Sequence, residues 1–180
     1  TFNFENSPKY SPSNYNNTYA HKEISMAAAI AYSDNIYAVK THLFLGEDTL
    51  IKTATTCGIK ANLKENPSLA LGTSELNMLD FATGYTTLAS NGYKKDLYFI
   101  EKVEDLNGNV LYEHKNKEKL VLNQNNLYIL NELLTNTTNA SFKDYTVPTG
   151  LSIANKLNHK YALKTGTTKT DYWAVGYNKK

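Results

Sequence analysis

The sequence predicts an α+β fold in which helices pack on an antiparallel sheet. Three observations lead there. Stretches such as 77–90 place apolar residues at helical spacing behind an Asn or Ser cap. Two others, 97–113 and 161–177, alternate apolar and polar residues on either side of a short polar turn. The chain also has 180 residues, 41% of them hydrophobic and 20% charged, which is enough apolar surface for one domain with a real core.

Composition excludes several function classes. Net charge is only +2, and all 19 basic residues are lysines. Without arginine the usual bidentate reader of phosphate and guanine is missing, so no nucleic-acid partner is expected. The wealth of Asn and Lys is consistent with an A/T-rich genome. One cysteine, Cys57, precludes an internal disulfide, and its apolar-periodic setting reads as a buried structural thiol. His21, His42, His114 and His159 have no metal-ligand spacing, and neither a metal nor another cofactor is expected. There is no run of 18 apolar residues and no visible signal peptide. Thr1 is not a natural start, so the sequence reads as a piece of a longer chain.

The elements follow in order. Residues 1–23, rich in Asn, Ser, Tyr and Pro, predict an irregular segment packed down by its tyrosines. Ser25 caps a short helix, Met26 to Tyr32, whose three consecutive alanines and lack of charge suit a tightly packed central position. Ser33-Asp34-Asn35 follows, then a helix from Ile36 to Leu45 and another from Gly46-Glu47-Asp48 to Gly58. Residues 59–75 read as a loop. Asn77 caps a helix over 78–90, with Asp80 placed for a capping box and Leu76 and Phe81 for a hydrophobic staple. Leu97 to Val103 reads as a strand, Asp105–Asn109 as a turn and Val110 to Glu113 as the returning strand. The lysines of 115–119 read as a solvated loop, Asn123 caps a helix to about Thr135, and 136–159 is a long polar connection. Last comes a hairpin around Lys164-Thr165-Gly166-Thr167-Thr168.

Two short strings carry chemistry. Lys164 beside threonine hydroxyls suits a carboxylate, and Gly166 lets another backbone approach the strand. A polar hairpin turn is the competing explanation. Ser33-Asp34-Asn35 puts a hydroxyl and an amide two residues apart between helices, where both could face one cleft. Taken alone, a helix-junction cap accounts for it better.

Together, Ser-x-Asn and the downstream Lys-Thr-Gly resemble the marks of serine β-lactamases and penicillin-binding proteins. The likeness spans nearly the whole chain. Ser11-Pro12-Ser13-Asn14-Tyr15, Ala31 to Lys40, Pro67 to Glu75, and Lys164 to Thr168 with Asp171, Trp173, Gly176 and Tyr177 all resemble the transpeptidase domain of penicillin-binding proteins, class A type. That resemblance implies a partial transpeptidase-like fold, 1–180 being the later portion of the domain. It also implies an extracytoplasmic, membrane-anchored parent enzyme that cross-links peptidoglycan stem peptides through an acyl-serine and binds β-lactam antibiotics. Ser33 would relay a proton to the leaving amine, Asn35 would bond the substrate amide, and Lys164 would support the proton network. Thr165 and Thr167 would hold the terminal carboxylate, the Thr167 backbone would serve the oxyanion, and Gly166 would keep the groove open. The family's Ser-x-x-Lys is absent: none of the ten serines has Lys three positions on. The nucleophile is therefore expected upstream and the final strand and helix downstream, and this stretch alone should be inactive. A non-catalytic peptidoglycan-binding or scaffold module, and a β-lactamase or β-lactam sensor, are the alternatives.

Overall fold

The computed structural model describes residues 1–3 and 9–178. Five helices, α1 (Met26–Tyr32), α2 (Asn35–Leu45), α3 (Glu47–Thr56), α4 (Met78–Ala89) and α5 (Gln124–Thr135), combine with three two-stranded antiparallel sheets. These pair β1 (Tyr93–Lys95) with β4 (Glu118–Leu120), β2 (Lys102–Glu104) with β3 (Val110–Glu113), and β5 (Ala162–Thr167) with β6 (Tyr172–Tyr177). The mixture of helix and antiparallel sheet is the class read from the sequence.

Local chemistry sets the helix starts. The side chains of Ser25, Asp34, Asn77 and Asn123 each accept a hydrogen bond from a first-turn N–H, meeting donors that have no intrahelical partner. The capping box on α4 does not form. Asp80 turns instead toward the backbone N–H of Lys60, at 3.4 Å, and so helps hold the preceding loop.

The core lies where α1 packs against α5, with β5 laid on α5. Ala29 and Ala31 are buried on α1, Leu127 and Leu134 on α5, Ala162 and Leu163 on β5, and Thr137 and Pro148 fill the space between. Each buried leucine contributes about 1.5–3 kcal/mol, and the alanines let the helix axes approach. The α1 helix is buried at Ala29, Ala31 and Tyr32 and half-buried at Ala27, Ala28 and Ile30; only Met26 at its start is exposed, at 51%. Burial pushes the Cys57 thiol up, as suits a structural cysteine.

Three expectations need correction. Leu97–Val103 is not one strand. Only Lys102–Glu104 finds a partner, and Leu97, Phe99 and Ile100 are exposed. The lysine-rich loop contains β4, held to β1 by the ladder and by a Lys95–Glu118 ion pair. In the opening segment, residues 4–8 lie outside the described residues. The remainder is irregular apart from an antiparallel bridge between Phe2 and Tyr10 and a 3-10 turn, Tyr15–Asn17; of its tyrosines Tyr10 and Tyr19 are half-buried but Tyr15 is 77% exposed, and Asn14 is the buried residue.

Gly92 ends α4 with φ +93°, and a Cβ there would sit 2.6 Å from the Leu122 carbonyl oxygen. Gly92→Ala is expected to cost about 2–4 kcal/mol in a urea melt, through forbidden backbone and direct collision together. Gly166 is the control, since its Cβ would meet nothing within 4 Å. Gly166→Ala should leave the melt within about 0.5 kcal/mol of the parent. Equal losses at the two glycines would contradict this account.

Candidate active site

The junction between α1 and α2 is one residue pair long. Ser33 closes α1 in the left-handed region (φ 55°, ψ 48°), and Asp34 opens α2 by accepting from Tyr37 N–H at 2.7 Å. A serine in that region costs about 1 kcal/mol or more relative to ordinary helical backbone, and such strain persists where surroundings enforce it. The reversed backbone turns Ser33 out of α1 toward β5.

Lys164 reaches Ser33 from the other side. Its Nζ donates to Ser33 Oγ at 2.6 Å and to the Thr165 carbonyl at 2.8 Å. Nothing local forces a contact between residues 131 apart; the packing of β5 on α5, and of α5 on α1, creates it. Tyr177, paired with Ala162 at the base of the hairpin, donates to Asn131 Oδ1 at 2.8 Å and ties β6 to α5.

Among the described residues no carboxylate pairs with Lys164. Burial with no counter-charge disfavours the ammonium and lowers its pKa from 10.5 to about 8. An amine so placed can give up and recover a proton near neutral pH, with a serine hydroxyl in contact to pass it on.

The other predicted residues occupy different settings. Asn35 is half-buried, and its Nδ2 donates to the Ser13 carbonyl at 2.8 Å, so part of its amide is engaged within the chain. Strand alternation places Thr165 and Thr167 on the face opposite Lys164 and Gly166. Neither threonine hydroxyl has a hydrogen bond to another described residue. Gly166 is exposed and crowds no protein neighbour, so any close approach it serves must come from outside these residues. A surface groove of about 460 Å³ beside α5, lined by Tyr128, Glu132, Asn136 and Lys160, contains neither Ser33 nor Lys164.

The sequence reading missed three groups. Asp34 accepts from Asn14 Nδ2 at 2.6 Å and from Tyr145 O–H at 2.8 Å. Asn14 Oδ1 accepts from the backbone N–H of Asn35 at 2.9 Å. Asn14 lies in the Ser11–Tyr15 stretch that carries part of the family resemblance; Tyr145 sits in the polar connection, where nothing in the sequence distinguishes it.

Comparison with known proteins adds the family. The family model described as the penicillin binding protein transpeptidase domain matches residues 1–180. This chain belongs to that family. Penicillin-binding protein 2D of Bacillus subtilis is 47% identical over 171 residues, covering 95% of the chain and 25% of the relative. Penicillin-binding protein 2a of Streptococcus pneumoniae is 28% identical over 93% of the chain and 23% of the relative. The chain thus spans about a quarter of the length of these relatives. Among solved structures, penicillin-binding protein 1A from Haemophilus influenzae superposes with a TM-score of 0.86 at 19% identity, over 98% of the chain and 31% of that protein. An imipenem acyl-enzyme complex of penicillin-binding protein A from M. tuberculosis gives 0.74 at 16%, over 96% and 43%. The fold is therefore that of a penicillin-binding transpeptidase domain, and the role of the family lies in cell-wall synthesis. Among the described residues no helix is long and apolar enough to cross a membrane.

Proposed function

We propose that this chain forms part of the active site of a serine D,D-transpeptidase that cross-links peptidoglycan stem peptides through an acyl-serine intermediate. The observation that carries the reading is the 2.6 Å contact between Ser33 Oγ and a partly buried Lys164 ammonium that meets no carboxylate among the described residues. A structural lysine would more naturally reach solvent or a carboxylate. Supporting it is the acyl-enzyme state named for the M. tuberculosis neighbour.

In this reading the nucleophilic serine belongs to a Ser-x-x-Lys elsewhere in the protein and attacks the penultimate D-Ala carbonyl. Ser33 passes a proton to the leaving amine, with Lys164 holding the hydroxyl in position and stabilising negative charge. Asn35 hydrogen-bonds the substrate amide with what its Ser13 contact leaves free. The unengaged hydroxyls of Thr165 and Thr167 hold the terminal carboxylate, and the Thr167 N–H serves the oxyanion. Gly166 admits the peptide alongside β5. Residues 1–180 are the later portion of the domain, the protein works on the extracytoplasmic face of a bacterial membrane, and β-lactams occupy the same site as the stem peptide.

Mass spectrometry after incubation with a β-lactam tests this. The whole protein should gain one stoichiometric adduct, and the 180-residue chain alone should gain none. An adduct on the short chain would mean that the nucleophile lies within it. A folded whole protein without any adduct would favour a non-catalytic peptidoglycan-binding module.

A further inference from the structure

The Asp34 carboxylate is bonded beyond what capping α2 requires. Asn77 and Asn123 cap α4 and α5 through first-turn N–H groups alone. Asp34, only 7% exposed, also takes two side-chain donors from distant segments, Asn14 and Tyr145. None of its three donors is a cation. A buried carboxylate held by neutral donors is costly to build, and its bonds are directional.

Each donor also grips the turn at a second point. Asn14 Oδ1 accepts from the N–H of Asn35 and, at 3.3 Å, from that of Ile36, while its Nδ2 also donates to the Thr18 carbonyl. The Tyr145 ring packs edge-on against Tyr32 with centroids 5.0 Å apart. Close by, Thr149 N–H donates to the Ala31 carbonyl at 3.0 Å, and Lys22 pairs with Asp144. The residues on both sides of left-handed Ser33 are thus fixed by the same tyrosine, its ring on Tyr32 and its hydroxyl on Asp34. Burial and the adjacent Asp34 push the Tyr145 phenol well above its ordinary 10, so it remains a donor at physiological pH.

We propose that Asn14 and Tyr145 are positioning residues of this site, holding the Ser33–Asn35 turn through Asp34 so that the Ser33 hydroxyl meets Lys164. This rests on the reading of Ser33 and Lys164 as a reacting pair. The two residues touch no substrate; they act through the strained turn, which would otherwise relax and carry the hydroxyl away from β5.

The test uses the whole protein and a fluorescent penicillin. Tyr145→Phe keeps the ring on Tyr32 and deletes one hydroxyl. It should slow acylation at saturating penicillin by about 10-fold with little change in half-saturating concentration, because the lost geometry matters in the reacting state. In a Ser33→Ala background the same change should have no further effect. An equal loss in both backgrounds would show that Tyr145 acts independently of Ser33 and would overturn the inference. If the wild-type protein takes no penicillin, the functional reading fails and Lys164 itself decides the positioning claim. Trace labelling with acetic anhydride, followed across pH by peptide mass spectrometry, should give a Lys164 midpoint lower in Tyr145→Phe than in the wild type, because the ammonium loses the Ser33 oxygen that accepts from it. An unchanged midpoint in the folded variant would overturn it. Should Tyr145→Phe fail to fold, Asn14→Ala is carried through the same measurements with the same expected outcomes.

Discussion

Lys164→Ala in the whole protein is expected to slow acylation by a β-lactam on the order of 10²-fold or more, the scale lost when a preorganised electrostatic donor is removed. Among the described residues the Lys164 Nζ is the only side-chain partner of the Ser33 hydroxyl, at 2.6 Å. Without it the hydroxyl has neither a fixed direction nor a nearby proton source. The same lysine should weaken the fold. Its pKa falls from 10.5 to about 8 on burial, so between those values the unfolded chain binds the proton more readily and stability rises with pH. Below pH 8 both states are protonated and the cost of burying the cation is felt in full, at most about 3 kcal/mol. Tyr177 acts in the opposite sense. Burial holds its phenol up to about 12, so its contribution is complete below 10 and is lost as pH rises from there. The Lys164 contribution should therefore climb from about pH 8 toward 10, against an opposing loss from the raised Cys57 thiol and, above 10, from Tyr177. Lys164→Met should raise stability at pH 7 and flatten that climb, trading function for stability. Urea midpoints at a series of pH values measure both effects, and a variant with the parent's slope would sink the account of Lys164 as a buried, uncompensated cation.

Legibility from sequence followed how local each interaction is. The caps at Ser25, Asn77 and Asn123 could be read because donor and acceptor lie within three residues. The β5–β6 hairpin was visible because its turn and both strands are contiguous. The β1–β4 ladder was not, because Tyr93-Lys94-Lys95 shows no alternation and its partner lies beyond another hairpin. Conversely, Leu97–Ile100 carries strand-forming residues but finds no ladder partner, which composition cannot reveal. At the site, Ser33 and Lys164 could be picked out as members of two strings, while their contact depended on how α1, α5 and β5 pack. At the helix junction the cap and the contact fall to neighbouring residues: Asp34 caps α2, and Ser33 reaches Lys164. The bonds of Asn14 and Tyr145 to Asp34 leave no local pattern, since they cross 20 and 111 residues.

Asp34→Ala is expected to cost about 3–5 kcal/mol, enough to threaten a protein whose whole stability is about 5–15 kcal/mol. The change leaves the Tyr145 hydroxyl, one Asn14 N–H and the Tyr37 N–H without their acceptor at a site where Asp34 is only 7% exposed. Each orphaned buried donor costs about 1–3 kcal/mol, and water entering the vacated space recovers part of it. Asp34→Asn should cost less than Asp34→Ala, because its carbonyl still serves one side while its amide opposes the donors on the other. Asp105 supplies the comparison. It also accepts three hydrogen bonds, from the Asn107 and Asn109 backbones and the Asn109 side chain, but in an exposed turn where water replaces them. Asp105→Ala should therefore be far milder, although the two carboxylates make equal numbers of bonds. Urea melts of the three variants decide it. If Asp34→Ala and Asp105→Ala lose the same small amount, the turn that presents Ser33 is held by backbone alone, and the buried carboxylate does not determine its geometry.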